Sequence, residues 1–451
     1  MQSQGALEVW HRAVLDAEFT EESGVTGFAG YLALEERLFR QLDEQVYARV
    51  PSGDRNSVNR YARGSLSDPG RWPRNWNRSF ELPAEAPRVG VLLLHGMSDS
   101  PYSLRSLGER LNASGAWVVG LRLPGHGTAP SGLTRARWQD MAAAVRLAMG
   151  HLRKRLGDRP LYIVGYSNGG ALAVDYALEA LAEPELPRAR GLVLLSPAIG
   201  VTPLAALAVW QARLGQLLGL PKLEWNAILP EYDPFKYNSF AVNAGDQTYR
   251  LTLDIRDRLR ALGGTGALQH FPGILAFQSA VDATVEAPVL VRELFEGLPA
   301  AGHELVLFDL NRTAGVEPLL QNDPKAAIDS LLGAPALPFV LSLVTNVDEG
   351  ARRVVVRQRV PGDSRVRQLE TGLEWPGEVY SLSHIALPFP ASDPLYGGDR
   401  GVRSPGIRLG NLALRGERGI LRVSASDMLR LHWNPFYPYL EQRVLGFLGL
   451  R

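Results

Sequence analysis

The residue most suited to covalent chemistry in this 451-residue chain is Ser167, which stands between Gly165 and Gly169 in "IVGYSNGGAL" (163–172) at the end of an apolar run. A serine hydroxyl is a poor nucleophile alone: it needs a base within hydrogen-bond reach and donors for the charge that forms when it attacks a carbonyl. The G-x-S-x-G spacing is that of a strand turning abruptly into a helix with a strained serine at the bend. The flanking glycines then have a steric cause, because a Cβ two residues away on either side would strike neighbouring backbone. The strand Leu161 to Val164 and the helical "GGALAVDYALEALAE" supply the required context, which a serine in a plain glycine loop would lack. The N–H of Asn168, the residue after the nucleophile, is one expected oxyanion donor, and that of Met97 in "LLLHGMSDSPYS" (92–103) is the other. His95 precedes Ser167 in a chain whose order should be serine, acid, histidine, so it reads as a loop-organising hydrogen-bonder rather than a base.

An acid is expected at the end of a later strand, and Asp282 in "AFQSAVDATVEAP" fits, with Asp309 in "LVLFDLNR" as competitor. Its work would be to orient an imidazole and stabilise the charged form. Three histidines follow it. His303 comes before the strand "HELVLFDLN", at the wrong end of a sheet. His384 in "EVYSLSHIALPFPASDPLYG" follows a strand-like run and has small serine neighbours, whereas His432 lies just ahead of the final helix. The preceding strand and local motif select His384 as the base, with His432 as the alternative.

The elements that must position these groups are strands alternating with helices: "VGVLLLHG" (89–96), "WVVGLRLPG" (117–125), "LYIVGYS" (161–167), "GLVLLSPAI" (191–199) and "GILAFQSAVD" (273–282). Continuous apolar strands are those covered on both faces, so the fold class is α/β with a doubly wound, mostly parallel sheet. One connecting helix opens at "SPYSLRSLGERLNASG", with Ser100 as N-cap, Pro101 at the first helical position and Gly115 as the stop. Residues 1–85 form an N-terminal extension packing on the core, with an amphipathic helix in "GYLALEERLFRQLDEQVYARV" (30–50) and Trp72 and Trp76 as anchors. Residues 86–199 and 272–451 form the core. Residues 200–271 interrupt it as a helical, aromatic cap, and a β-containing insertion covers about 312–376.

Composition narrows the function classes. Forty-eight basic and 47 acidic residues leave a formal charge of +1, so there is no global field for nucleic acid or anionic lipid. Cysteine is absent, which excludes disulfides, thiolate metal sites and cysteine nucleophiles. No H-E-x-x-H or G-x-x-x-x-G-K motif occurs, so neither a metal nor another cofactor is expected. No run of about 18 apolar residues could span a bilayer, and no charged-then-apolar leader follows Met1, so the chain reads as soluble; compartment and oligomeric state stay open.

Together "HGMSDSPYS" (95–103), "LPGHG" (123–127) and "GYSNGG" (165–170) resemble the α/β-hydrolases of the monoacylglycerol lipase, lysophospholipase and serine aminopeptidase type, from about residue 85 to 282 and more loosely beyond. The resemblance implies a serine triad and a helical cap. It strengthens Asp282, which begins the family's D-x-x-V, and gives His126 only a structural part. It also supports His432, because shorter members carry their histidine just before the final helix. Asn168 departs from the methionine common in such elbows, which spares a backbone donor but alters the polarity of the acyl pocket. The expected activity is cleavage of carboxylic esters through an acyl-enzyme, with lipid-like substrates indicated by the aromatic cap residues Trp210, Trp225, Phe235, Tyr237 and Phe240. The same triad also serves peptidases and thioesterases, and a non-catalytic binding or scaffold protein is the alternative from another class.

Overall fold

The structure is a computed structural model that describes residues 6–53, 57–200, 221–282, 284–300, 302–320, 323–410 and 429–451. The apolar stretch of the expected cap that contains Trp210 lies outside the described residues.

Twelve strands are described: β1 Phe80–Leu82, β2 Val89–Leu94, β3 Ala116–Leu121, β4 Leu161–Tyr166, β5 Gly191–Leu195, β6 Trp225–Ala227, β7 Phe240–Ala241, β8 Gly273–Ser279, β9 His303–Phe308, β10 Val340–Asn346, β11 Arg353–Arg359 and β12 Arg367–Glu374. Ten of them make one sheet in the order β1-β3-β2-β4-β5-β8-β9-β10-β11-β12, and β6 pairs with β7 separately. From β3 to β10 every neighbouring pair is parallel, while β1 and the two final strands run antiparallel. Parallel neighbours need crossover connections, and helices such as Trp138–Leu156 and Asn168–Ala182 provide them. The sheet is therefore covered on both faces, which is why β2, β4 and β5 carry no exposed position. The doubly wound, mostly parallel architecture read from the sequence is the one observed.

Each central strand ends two to four residues earlier than the hydrophobic runs suggest, or one in β4. The residues left over, among them His95, Arg122, Ser167 and Asp282, turn outward into loops at the carboxyl edge of the sheet. Ser98, Ser167 and Ser196 have φ values of 65°, 52° and 42° there, a region side chains other than glycine seldom occupy. Open α/β sheets bind ligands along this edge.

The chain after Asp309 extends the sheet. Helix Lys325–Gly333 bridges β9 to its parallel neighbour β10, and β11 and β12 fold back antiparallel to form the outer edge. Before the sheet, helix Phe28–Gln45 buries Tyr31, Leu34, Leu38, Phe39 and Leu42 along one side, and Trp72 packs edge-on to Tyr102 and Phe235. One local expectation is corrected. The connecting segment begins with a 3-10 turn, Pro101–Leu104, ahead of helix Arg105–Ala113, and the Ser100 hydroxyl caps neither; it is buried with no hydrogen-bond partner among the described residues. Proline at the first position sets the tight turn and moves the free helical N–H groups beyond the reach of Ser100.

Candidate active site

β4 stops at Tyr166, and Ser167 makes the bend into helix Asn168–Ala182 with φ 52° and ψ −115°. The glycines permit this. A Cβ on Gly165 would lie 2.3 Å from the Gly169 carbonyl oxygen, and one on Gly169 would lie 2.1 Å from that of Leu94. The bend is held from both sides: the Ser167 N–H donates to the Leu195 carbonyl at 2.9 Å, and its own carbonyl accepts from Ala198 at 2.9 Å.

The Ser167 hydroxyl is 3.1 Å from Nε2 of His384, and Nδ1 of the same ring is 2.7 Å from Oδ2 of Asp282. Because a carboxylate can only accept, Nδ1 carries the proton and Nε2 is left to accept the serine proton. Asp282 follows β8, and His384 sits in the short turn His384–Ala386 beyond β12, so the acid and the imidazole are 102 residues apart in sequence. Burial alone would push the Asp282 carboxyl up. The hydrogen bond and charge of His384, with the Val285 and Thr284 amides, outweigh it and hold the group below the ordinary carboxylate range. Gln278 completes the seat by donating to Asp282 Oδ2 at 2.9 Å and to the Val285 carbonyl at 2.7 Å. Sequence reasoning missed Gln278; its only signal is a long polar side chain near the carboxyl end of the apolar run "GILAF".

The competing residues stand elsewhere. Asp309 is engaged by Arg312 at 2.8 Å and by the Thr345 hydroxyl at 2.8 Å. His303 opens β9 at the amino edge, and His432 lies on a cavity wall with its ring parallel to that of Tyr396 at 6.1 Å. His95 makes the loop contacts expected of it: Nδ1 to the Gly96 carbonyl at 2.9 Å, and Nε2 accepting from Leu123 at 3.0 Å. His126 holds the Pro124 carbonyl at 3.0 Å, and burial lowers its pKa to about 4.

Met97 and Asn168 both lie at the carboxyl edge, and among the described residues neither main-chain N–H has an acceptor. Asn168 opens its helix, where unsatisfied N–H groups and the helix dipole favour negative charge. Its side chain is occupied, donating to Met141 Sδ at 3.6 Å and accepting from the Thr248 hydroxyl at 3.3 Å.

A cavity of about 240 Å³ adjoins this centre, bounded by Ser98 beside Met97 and by Ile385 beside His384. Its wall mixes the charged groups of Asp99, Asp233, Lys236 and Arg430 with apolar side chains such as Leu229, Ile385, Phe389 and Leu409. Burial raises both acids, Asp233 to about 6, and Lys236 stands 3.5 Å from Asp99. Of the aromatic residues expected to line an acyl tunnel, Tyr237 and Phe240 reach this cavity. Phe235 is stacked on Tyr102 at 4.3 Å and Trp225 packs edge-on to His11 at 4.9 Å, so both are spent on packing and neither lines this cavity.

Residues 85–308 match the family described as serine aminopeptidase, S33. Over 123 residues the chain is 35% identical to a thermostable monoacylglycerol lipase of Bacillus sp. (strain H-257), covering 27% of this chain and 46% of that protein. Over 152 residues it is 28% identical to phospholipase YtpA of Bacillus subtilis (strain 168), covering 33% and 51%. The chain thus spans about half the length of these curated relatives. Among solved structures, the monoacylglycerol lipase of Paleococcus ferrophilus overlays with a TM-score of 0.38 at 19% identity, covering 51% of this chain and 88% of that one.

Proposed function

We propose that this chain, an α/β-hydrolase of the monoacylglycerol lipase, lysophospholipase and serine aminopeptidase type, cleaves carboxylic esters through an acyl-enzyme formed on Ser167. The observation that carries the reading is the contiguous relay from Ser167 Oγ through His384 to Asp282, at 3.1 and 2.7 Å, at a backbone bend that thrusts the hydroxyl out.

As Ser167 attacks the ester carbonyl, its proton passes to His384 Nε2, and Asp282 stabilises the resulting imidazolium. Charge on the former carbonyl oxygen is received by the N–H groups of Met97 and Asn168, which have no competing acceptor among the described residues. His384 then returns the proton to the departing alcohol. Water, deprotonated by the same ring, attacks the acyl-Ser167 ester and releases the acid.

The substrate class we assign is lipid-like esters, in line with the lipase and phospholipase relatives. The cavity beside Ser98 joins apolar side chains such as Leu229, Phe240, Ile385 and Phe389 to a few charged groups, a lining that suits an ester with both apolar and polar parts. A fluorophosphonate probe tests the chemistry: labelling at Ser167 that is lost in Ser167→Ala supports it, and no labelling of folded protein overturns it. A series of p-nitrophenyl esters tests the substrate class, with kcat/KM expected to rise from acetate toward medium-length acyl groups; a flat or falling series would refute the lipid assignment.

A further inference from the structure

The first 80 residues precede the matched family segment, and among the described residues none of their side chains meets the Ser167 relay, yet Glu18, Glu35 and Arg60 brace segments packed against the loop that carries Met97. Arg122, directly after β3, is 1% exposed. Glu18 holds its guanidinium at 2.8 and 3.0 Å and Glu35 holds it at 3.1 Å. The same guanidinium donates to the His126 carbonyl at 3.1 Å, Glu18 accepts the Gly125 N–H at 2.9 Å, and the Tyr31 hydroxyl donates to the Arg122 carbonyl. The loop so fixed presents the Leu123 N–H to His95 Nε2 at 3.0 Å. Since Nε2 accepts, the proton of His95 sits on Nδ1 and is donated to the Gly96 carbonyl at 2.9 Å, one residue before Met97.

The other side of Met97 is braced independently. Arg60, also 1% exposed, donates to the Lys236 carbonyl at 3.1 Å and to Asn77 Oδ1 at 3.0 Å, and its guanidinium lies 5.3 Å from the centre of the Tyr237 ring. The Tyr237 N–H donates to the Ser98 carbonyl at 2.8 Å, and Ser98 has φ 65°. Buried ion clusters give little net stability for their desolvation cost. What they offer that an apolar cluster does not is directional fixation.

We propose that the N-terminal extension positions the oxyanion donor of Met97: Glu18 and Glu35 act through Arg122 and His95, and Arg60 acts through Tyr237 and Ser98. This rests on the reading of Ser167 as the nucleophile. Glu18, Glu35 and Arg60 do not touch substrate; they are positioning residues, and their effect is confined to the state in which the oxygen is charged.

The test uses Glu35→Gln and Arg60→Met in the full chain. Three quantities are read: kcat and KM for p-nitrophenyl butyrate, affinity for a trifluoromethyl ketone that forms an oxyanion on the nucleophile, and thermal melting. A displaced donor should lower kcat by about 10- to 100-fold, short of the loss of a whole donor, with KM changed less than about 2-fold. Ketone affinity should fall in parallel with kcat/KM. If Glu35→Gln does not fold, Tyr31→Phe replaces it, removing a single hydrogen bond on the Arg122 carbonyl, and if Arg60→Met does not fold, Asn77→Ala replaces it, removing one acceptor of Arg60; about a 3-fold loss of kcat is expected in either. Folded variants with normal ketone affinity would overturn the proposal, even if less stable. Turnover retained by Ser167→Ala would instead overturn the reading beneath it, and this inference with it.

Discussion

Replacing Asp282 with asparagine tests the relay at its most determinate point. Oδ1 of Asp282 accepts the N–H groups of Thr284 at 2.8 Å and Val285 at 3.1 Å, so an asparagine must keep its oxygen there. Its NH2 then takes the place of Oδ2, facing His384 Nδ1 at 2.7 Å and the donating amide of Gln278 at 2.9 Å. Donor would face donor unless the imidazole moved its proton to Nε2, and in that tautomer the ring cannot accept from Ser167. Loss of the correct tautomer lowers kcat by about 10⁴-fold, or ~5 kcal/mol of barrier. Steady-state hydrolysis of p-nitrophenyl butyrate should show this loss in kcat with KM changed little, because Asp282 is buried behind the histidine and meets no substrate. A folded variant retaining a tenth or more of wild-type kcat would refute the tautomer argument. A second readout has a definite sign. The Asp282 pKa is held below its unfolded value, so its stabilisation is complete above about pH 4 and fades as pH falls through the folded pKa. The asparagine variant should accordingly lose that component of the acid dependence of Tm.

Other consequences are open to simple measurement. Gly169→Ala sets a methyl group 2.1 Å from the Leu94 carbonyl oxygen and should destabilise the fold by about 3 kcal/mol or prevent folding; a Tm within 2 °C of wild type would contradict the close approach. Ser167→Gly relieves a left-handed φ of 52° and should raise Tm while abolishing turnover, and a lowered Tm would show that the bend is not strained. Asp175 faces Arg258, Asp254 and Glu179, and burial above all raises its pKa to about 7. Its folded form holds a proton that the unfolded chain has lost, so stability should fall as pH rises from about 4 to 7; Asp175→Asn should remove that slope and melt higher than wild type at pH 8. His432→Ala should lose at least about 100-fold less kcat than His384→Ala, since the ring contacting Ser167 is that of His384, and comparable losses in the two folded variants would refute this.

Much of this was written in local patterns. Five buried strands announce themselves by continuous apolar runs, and Ser167 by two glycines that only a collision explains. The strand ends were less legible, because apolar character continues past the last ladder hydrogen bond into loops where serines adopt positive φ. Choosing between His384 and His432 required knowing that β10 to β12 join the main sheet and return the chain to its carboxyl edge, a long-range fact with no local signature. The aromatic residues of the covering segment misled for a similar reason. Composition cannot tell a ring that lines a cavity, such as Tyr237, from one that fastens two layers, as Phe235 does on Tyr102. The role of Gln278 and the convergence of Arg60 and Arg122 were invisible until partners far apart in sequence were brought together.

The three added strands carry a temporal meaning. On the proposed reading, nucleophile and acid are seated by the ends of interior strands, whereas the proton acceptor is reached only after the chain has passed through the outermost strands, about a hundred residues beyond the acid. A nascent or partly assembled chain would own a protruding hydroxyl with nothing to activate it. On that reading, competence toward esters depends on the sheet's added margin being in place.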